Sequence, residues 1–472
     1  MDKSLLDLDA TELARQISQN EISSLEATET YIAHVEKINP TINCLVEDRF
    51  TLAREEAKKA DDALKDDTPK GRLHGVPISM KESFNVAGMK TTGGLPYRKD
   101  MVEKKDAEVV ARLRKEGAII LGKTNTPVLC YYQETDNKLY GLTRNPWDVS
   151  RTVGGSSGGE GAIIAAGGAS VGLGGDIGGS IRFPSHFNGV IGFKSGNRQI
   201  SYDGSFPPFD NDLQIQMLGF GAIAKSVRDT RLVNEIIADT IPANCELSDF
   251  TINVLNNSLK YPVNQSTRNA ILQVTAHLKK DFKLIDEQPP YYEEAAPLWQ
   301  VIMSINGAKE AAEIAFGPNP IKPTQEYLKE LRSNSSPLHR YITRVLITAN
   351  MMKPSPTKLK KTEEFIARGN RMVASYLGNK LLILPVYHTP APPHGTVMKE
   401  VFSPLMTYKK YMPFIAYANT WGLPTLTIPI LEDAGGLPIS LQIISKIGNE
   451  DAIFKLAEIL EQEFRGYKRA IL

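Results

Sequence analysis

Residues 154–179 hold twelve of the chain's 36 glycines, interleaved with serine and alanine and nearly free of charge. Glycine at that density suits neither helix nor strand. It marks backbone that turns through left-handed conformations, or that something approaches too closely for a Cβ to fit. Nucleotide loops are the obvious candidates, and both fail. No lysine follows at Walker A spacing, and Gly172-x-Gly174 is followed by Ile177 where a dinucleotide fingerprint needs its third glycine. GxSxG matches from Gly154 and again from Gly155, but a nucleophile elbow needs an apolar strand just before it, and residues 146–151 (PWDVSR) are polar.

The flanking sequence supplies the frame. Residues 73–80 form an apolar, strand-like run that ends at Lys81. Residues 106–116 read as an amphipathic helix stopped by Gly117, followed by the buried strand Ala118-Ile119-Ile120-Leu121. This is an αβ unit of an at least partly parallel sheet. Upstream, Asp9 caps a first helix, a second runs from Ser24 to just before Pro40, and a third covers about 54–65. Residues 250–375 are more polar and mostly helical in pattern, with proline breaks at 289–290 and 318–323; 381–385 and 423–430 read as strands and 451–464 as a closing helix. With no repeat and no low-complexity linker, residues 1–472 are expected to form one domain with a core at about 70–200 and a variable helical insertion at about 250–375.

Composition narrows the chemistry. With 55 basic and 54 acidic residues, no global field recruits nucleic acid or an anionic membrane. Cys44, Cys130 and Cys245 are far apart and favour a reducing, cytoplasmic setting over a disulfide framework. Residues 1–16 are charged throughout and unlike a secretory signal, and the uncharged stretch 161–175 is too short and glycine-rich to span a bilayer. His34, His74, His186, His277 and His339 are scattered singly, so no metal site is expected; His388 and His394, between prolines, read as loop-lining. Lys81, at the end of an apolar strand, can act as a base if burial makes it neutral, although an ordinary solvent-facing lysine is equally compatible with the local pattern. Ser180 follows Gly178-Gly179, where converging N–H groups could form an oxyanion hole or merely a capped turn.

Three blocks carry a resemblance. GVPISMKE (75–82), GGSSGGEGA (154–162) and GGDIGGSIRFP (174–184) resemble the amidase signature family, and the likeness extends to YANTWGLP (417–424) and GLPISLQ (436–442). The resemblance implies an α/β fold in which helices cover both faces of a large twisted mixed sheet (α/β/α), and a Ser–cis-Ser–Lys triad without a cofactor. Ser180 would be the nucleophile, Ser156 the middle member after a cis peptide bond, and Lys81 the neutral base. The N–H groups of Ile177, Gly178, Gly179 and Ser180 would hold the oxyanion. Ser157 would hydrogen-bond within the triad, and Asp176 with Arg182 would brace the nucleophile loop.

Glu160 and the DIGGSIRFP wording are closer to fatty acid amide hydrolases than to the A-type subunits of glutamyl-tRNA amidotransferases, whose stretches read more like GGSSGGSA and SDTGGSIRQP. By the same likeness Cys130 and Tyr131 would touch the acyl group. The expected substrates are fatty acid primary amides or N-acyl amines, with short-chain or aryl amides and an amidotransferase component as alternatives. Expected partners are a small lipophilic amide, a second copy of the chain and, peripherally, a membrane. The apolar spacing of Leu338, Tyr341, Ile342, Val345, Leu346 and Ala349, flanked by lysines, suggests a lipid-facing lid over residues 337–361.

Overall fold

The computed structural model describes residues 4–66, 68, 71–317, 321–403 and 412–472. Its frame is one mixed sheet of eleven strands. Its first four strands in chain order are β1 (Leu45–Asp48), β2 (Pro77–Lys81), β3 (Ile119–Thr124) and, after a small hairpin of β4 (Arg144–Asn145) and β5 (Asp148–Thr152), β6 (Val171–Asp176). The rest are β7 (Ile191–Lys194), β8 (Gly219–Ala224), β9 (Thr251–Val254), β10 (Leu284–Ile285), β11 (Lys380–Pro385), β12 (Thr425–Glu432) and β13 (Pro438–Ile444). Across the sheet the order is β1-β3-β2-β6-β8-β7-β12-β13-β11-β9-β10.

β2 lies parallel to both β3 and β6, the arrangement expected for the αβ unit, whose helix is Glu108–Lys115. Every residue of β2, β3, β7, β8 and β13 is buried. Strands buried on both sides require layers on both faces, so the α/β/α expectation holds. The apolar sides pack into two large cores, one around the N-terminal helices with β2, β3, β6 and β8, the other around β7, β9 and β11 to β13. A third, small core lies where the helices of 309–316 and 340–351 meet residues 128–132.

Several boundaries depart from the sequence reading for visible reasons. The run 73–80 does not start as a strand: Gly75 is left-handed at φ +73°, Val76 N–H closes a turn on the Leu73 carbonyl, and β2 begins at Pro77. The second helix passes through Pro40 to Ile42 and stops only where Asn43 turns left-handed at φ +51°. The polar stretch 146–151 lies largely in the hairpin, and the polar region 250–375 gives the main sheet two strands, β9 and β10, parallel to β11. Of the proline break at 318–323, residues 318–320 lie outside the described residues, as do residues 1–3.

Candidate active site

β2 delivers Lys81 to the sheet's C-terminal edge, opposite Thr124 of β3 and almost completely buried. Its Nζ donates to Ser156 Oγ at 2.7 Å. Burial pushes the ammonium below the ordinary lysine value, and Cys130, Asp176 and Glu160 oppose that shift only in part. Two residues back on the same face, Ser79 donates to the Glu160 carboxylate at 2.5 Å, and Thr124 Oγ1 donates to its other oxygen at 2.9 Å. Gly172, paired with Ser79, leaves room for this cluster, since a Cβ there would overlap the carboxylate. Burial pushes the Glu160 carboxyl up to about 7.

The first glycine block makes the turn that presents Ser156. Gly154 is left-handed at φ +77°, Gly155 lies against the Tyr132 carbonyl where no side chain fits, and the Gly155–Ser156 peptide is cis. Ser157 meets Ser180 through its backbone rather than its hydroxyl. Its backbone N–H donates to the Ser180 carbonyl at 3.1 Å, tying the two glycine blocks together, but its hydroxyl turns away to the Gly175 carbonyl at 3.4 Å.

Ser180 follows β6 on a loop folded around Asp176. One carboxylate oxygen accepts from Gly179 N–H at 2.8 Å, and the other from Ile181 N–H at 3.2 Å and from Arg182 Nε at 3.0 Å. Burial would raise the Asp176 carboxyl, but the Arg182 guanidinium, itself fully buried, holds it well below the usual carboxylate range. Arg182 also reaches the Ile415 carbonyl, Gln442 Oε1 and Asn419 Oδ1. This geometry corrects the expected oxyanion set. The N–H of Gly179, swung round by a φ of +95°, is occupied by Asp176. Those of Ile177, Gly178 and Ser180 have no acceptor among the described residues.

Ser180 is 6% exposed, and its Oγ has no hydrogen-bond partner among the described residues. It lines a cavity of about 30 Å³ together with Lys81, Ser156 and Cys130. Cys130, Tyr131, Ile177 and Ser180 also line an adjoining cavity of about 170 Å³ whose wall is largely apolar. Leu129 and Cys130 are both left-handed (φ +56° and +59°), a costly turn for side-chain-bearing residues that aims the thiol at the Lys81 end of the site.

The far wall was not foreseen. Trp299 and Met303 come from the helix Tyr292–Met303, and Val345, Ala349 and Met352 from the helix Arg340–Met351 and its end. The apolar stripe expected to face lipid instead packs inward. Leu338, Tyr341, Ile342 and Leu346 are buried in the third core, Val345 and Ala349 face the cavity, and Met351 is strongly exposed at the helix end. His388 pairs with Glu400 at 3.2 Å and His394 meets the Val149 carbonyl, so both line loops as expected. Among the described residues, no helix is long and apolar enough to cross a membrane.

A family model described as Amidase matches residues 26–454. Fatty-acid amide hydrolase 2-B of Danio rerio is 32% identical over 493 residues, covering 98% of this chain and 90% of that protein. The A-type subunit of the glutamyl-tRNA(Gln) amidotransferase of Carboxydothermus hydrogenoformans is 28% identical, with 98% of each chain covered. Among solved structures, that of 6-aminohexanoate cyclic dimer hydrolase superposes with a TM-score of 0.82 over 99% of both chains at 24% identity.

Proposed function

The chain belongs to the amidase signature family, and from that premise we propose that it is a serine amidase, hydrolysing fatty acid primary amides or N-acyl amines through an acyl-enzyme on Ser180. The observation that carries this reading is the 2.7 Å contact from buried Lys81 Nζ to Ser156 Oγ, in a cavity that Ser180 also lines. A serine hydroxyl attacks an amide only if a base takes its proton, and a lysine serves as base only when neutral. Burial favours the neutral amine.

The steps follow from the residue types. Ser180 Oγ bonds to the amide carbon as its proton passes to Ser156, whose own proton goes to Lys81. The N–H groups of Gly178 and Ser180 receive the charge on the carbonyl oxygen. The relay then runs back and protonates the nitrogen, which would otherwise leave as an amine anion, and the C–N bond breaks. Water, giving its proton to the same relay, then bonds to the acyl carbon, the ester bond to Ser180 Oγ breaks, and the relay returns the proton to Ser180 as the acid leaves.

The apolar wall from Trp299 to Met352 supports a lipophilic acyl group. The test is the hydrolysis rate over amides graded from acetyl to oleoyl, without ATP or a partner protein, with Ser180→Ala as blank. Rates should rise with chain length. A preference for acetyl or aryl amides would point to a general amidase. No Ser180-dependent turnover would point to a component of an amidotransferase, which is what the relative from Carboxydothermus hydrogenoformans is.

The base also fixes a pH dependence. Protonated Lys81 cannot accept a proton, so kcat/KM should fall on the acid side, along a limb lying below the ordinary lysine value of 10.5. Glu160 stabilises the ammonium, so Glu160→Gln should move that limb to still lower pH. A limb that moves upward in that variant would contradict the assignment.

A further inference from the structure

The peptide between Ile177 and Gly178 is trans, so its carbonyl and N–H point to opposite edges of one plane. The carbonyl edge is held: Trp299 Nε1 donates to Ile177 O at 2.8 Å. The other edge carries the Gly178 N–H, which has no acceptor among the described residues and lies two positions before Ser180. Fixing one edge of a planar group fixes the direction of the other.

The contact is close as well as polar. A Cβ on Gly178 would stand 2.7 Å from Trp299 Cζ2, so the indole occupies the space where any other residue would carry its side chain. Glycine at 178 and tryptophan at 299 are therefore complementary parts, one from the nucleophile loop and one from the helix Tyr292–Met303 of the polar insertion. The same indole lines the larger cavity beside Gly178 and Ser180.

We propose that Trp299 is a positioning residue for amide hydrolysis: by holding the Ile177 carbonyl, its N–H aims the Gly178 N–H at the developing oxyanion. This rests on the reading of Ser180 as the nucleophile. It gives the insertion a part in the chemical step beyond shaping the cavity. A buried indole N–H commonly finds some acceptor, so the test must separate aiming from simple packing.

Trp299→Phe keeps an aromatic ring and removes the donor. Deleting an oxyanion donor outright costs about 10²- to 10³-fold in kcat; misaiming one is expected to cost on the order of 10- to 100-fold. The loss should fall on kcat, with little change in KM, and should be as large for an acetyl amide as for a long-chain one. A wall residue that only packs would give a loss in KM that grows with acyl length. Should Trp299→Phe fail to fold by circular dichroism, replacement of Trp299 by benzothienylalanine, isosteric with tryptophan but without the N–H, makes the same measurement. Wild-type kcat in whichever variant folds, or a loss confined to KM for long chains, overturns the proposal. Ser180→Ala is run in parallel: turnover surviving there overturns the serine reading and the inference with it, whereas Ser180-dependent turnover that ignores the missing N–H sinks the inference alone.

Discussion

Ser180→Ala is expected to lower amide hydrolysis about 10⁶-fold in kcat while leaving the fold unchanged, because residues that act as one proton relay fail together. The side chain removed makes no hydrogen bond among the described residues and faces a cavity, so its loss leaves no buried group unpaired. Lys81→Ala and Ser156→Ala should each lose nearly as much, and the triple variant little more than any one of them. Residual turnover in all of them would come from the N–H groups of Gly178 and Ser180, which no side-chain change removes. Losses that multiply across the three positions, or wild-type turnover in any of them, would disprove a shared relay.

How much of this was legible in the sequence depends on how local its cause is. The glycine blocks announced themselves because each glycine answers a nearby demand: Gly154 a left-handed turn, Gly155 the Tyr132 carbonyl, Gly172 the Glu160 carboxylate. Lys81 was legible because an apolar strand leads to it. The capping of the first helix by Asp9, whose carboxylate accepts from Glu12 N–H at 2.9 Å, was equally local. What escaped was set at a distance. Whether Gly179 N–H serves an oxyanion or Asp176 depends on a loop closing upon a buried guanidinium whose remaining partners are Ile415, Asn419 and Gln442, more than 230 residues away along the chain. Trp299 sits in a polar, helix-patterned stretch with nothing in its neighbourhood to mark it, because its partner is a single carbonyl 122 residues earlier. The stripe on the helix Arg340–Met351 had the right spacing and the wrong destination: periodicity says that a face is apolar, and only packing says whether lipid, core or cavity meets it.

Arg182→Met is expected to destabilise the folded protein by about 3–5 kcal/mol at pH 7, since removing one partner of a buried ion pair strands the other. Asp176 would keep its bonds from Gly179 and Ile181 N–H and from Asn419 Nδ2, but would lose the guanidinium that it pairs with. The pH dependence tells this mechanism apart from a simple loss of packing. In the wild type the Asp176 carboxyl is depressed below 3.8, so the stability it contributes is fully present above that value and is lost as pH falls through the folded one. Without Arg182, burial is the dominant influence left, and it raises the carboxyl above its unfolded value, so protonation now favours the folded state. The deficit of Arg182→Met against wild type should therefore be largest at neutral pH and shrink as the pH falls toward 4. Adding Asp176→Asn should recover part of the loss, because the stranded charge is then gone, and a double-mutant cycle in urea measures that coupling. A deficit below 1 kcal/mol, or one independent of pH, would mean that the pair does not hold the loop. Where the variant folds, hydrolysis should still be slow: the carboxylate that pairs with Arg182 also holds Gly179 and Ile181 on either side of Ser180, so the ion pair and Ser180 share one anchor.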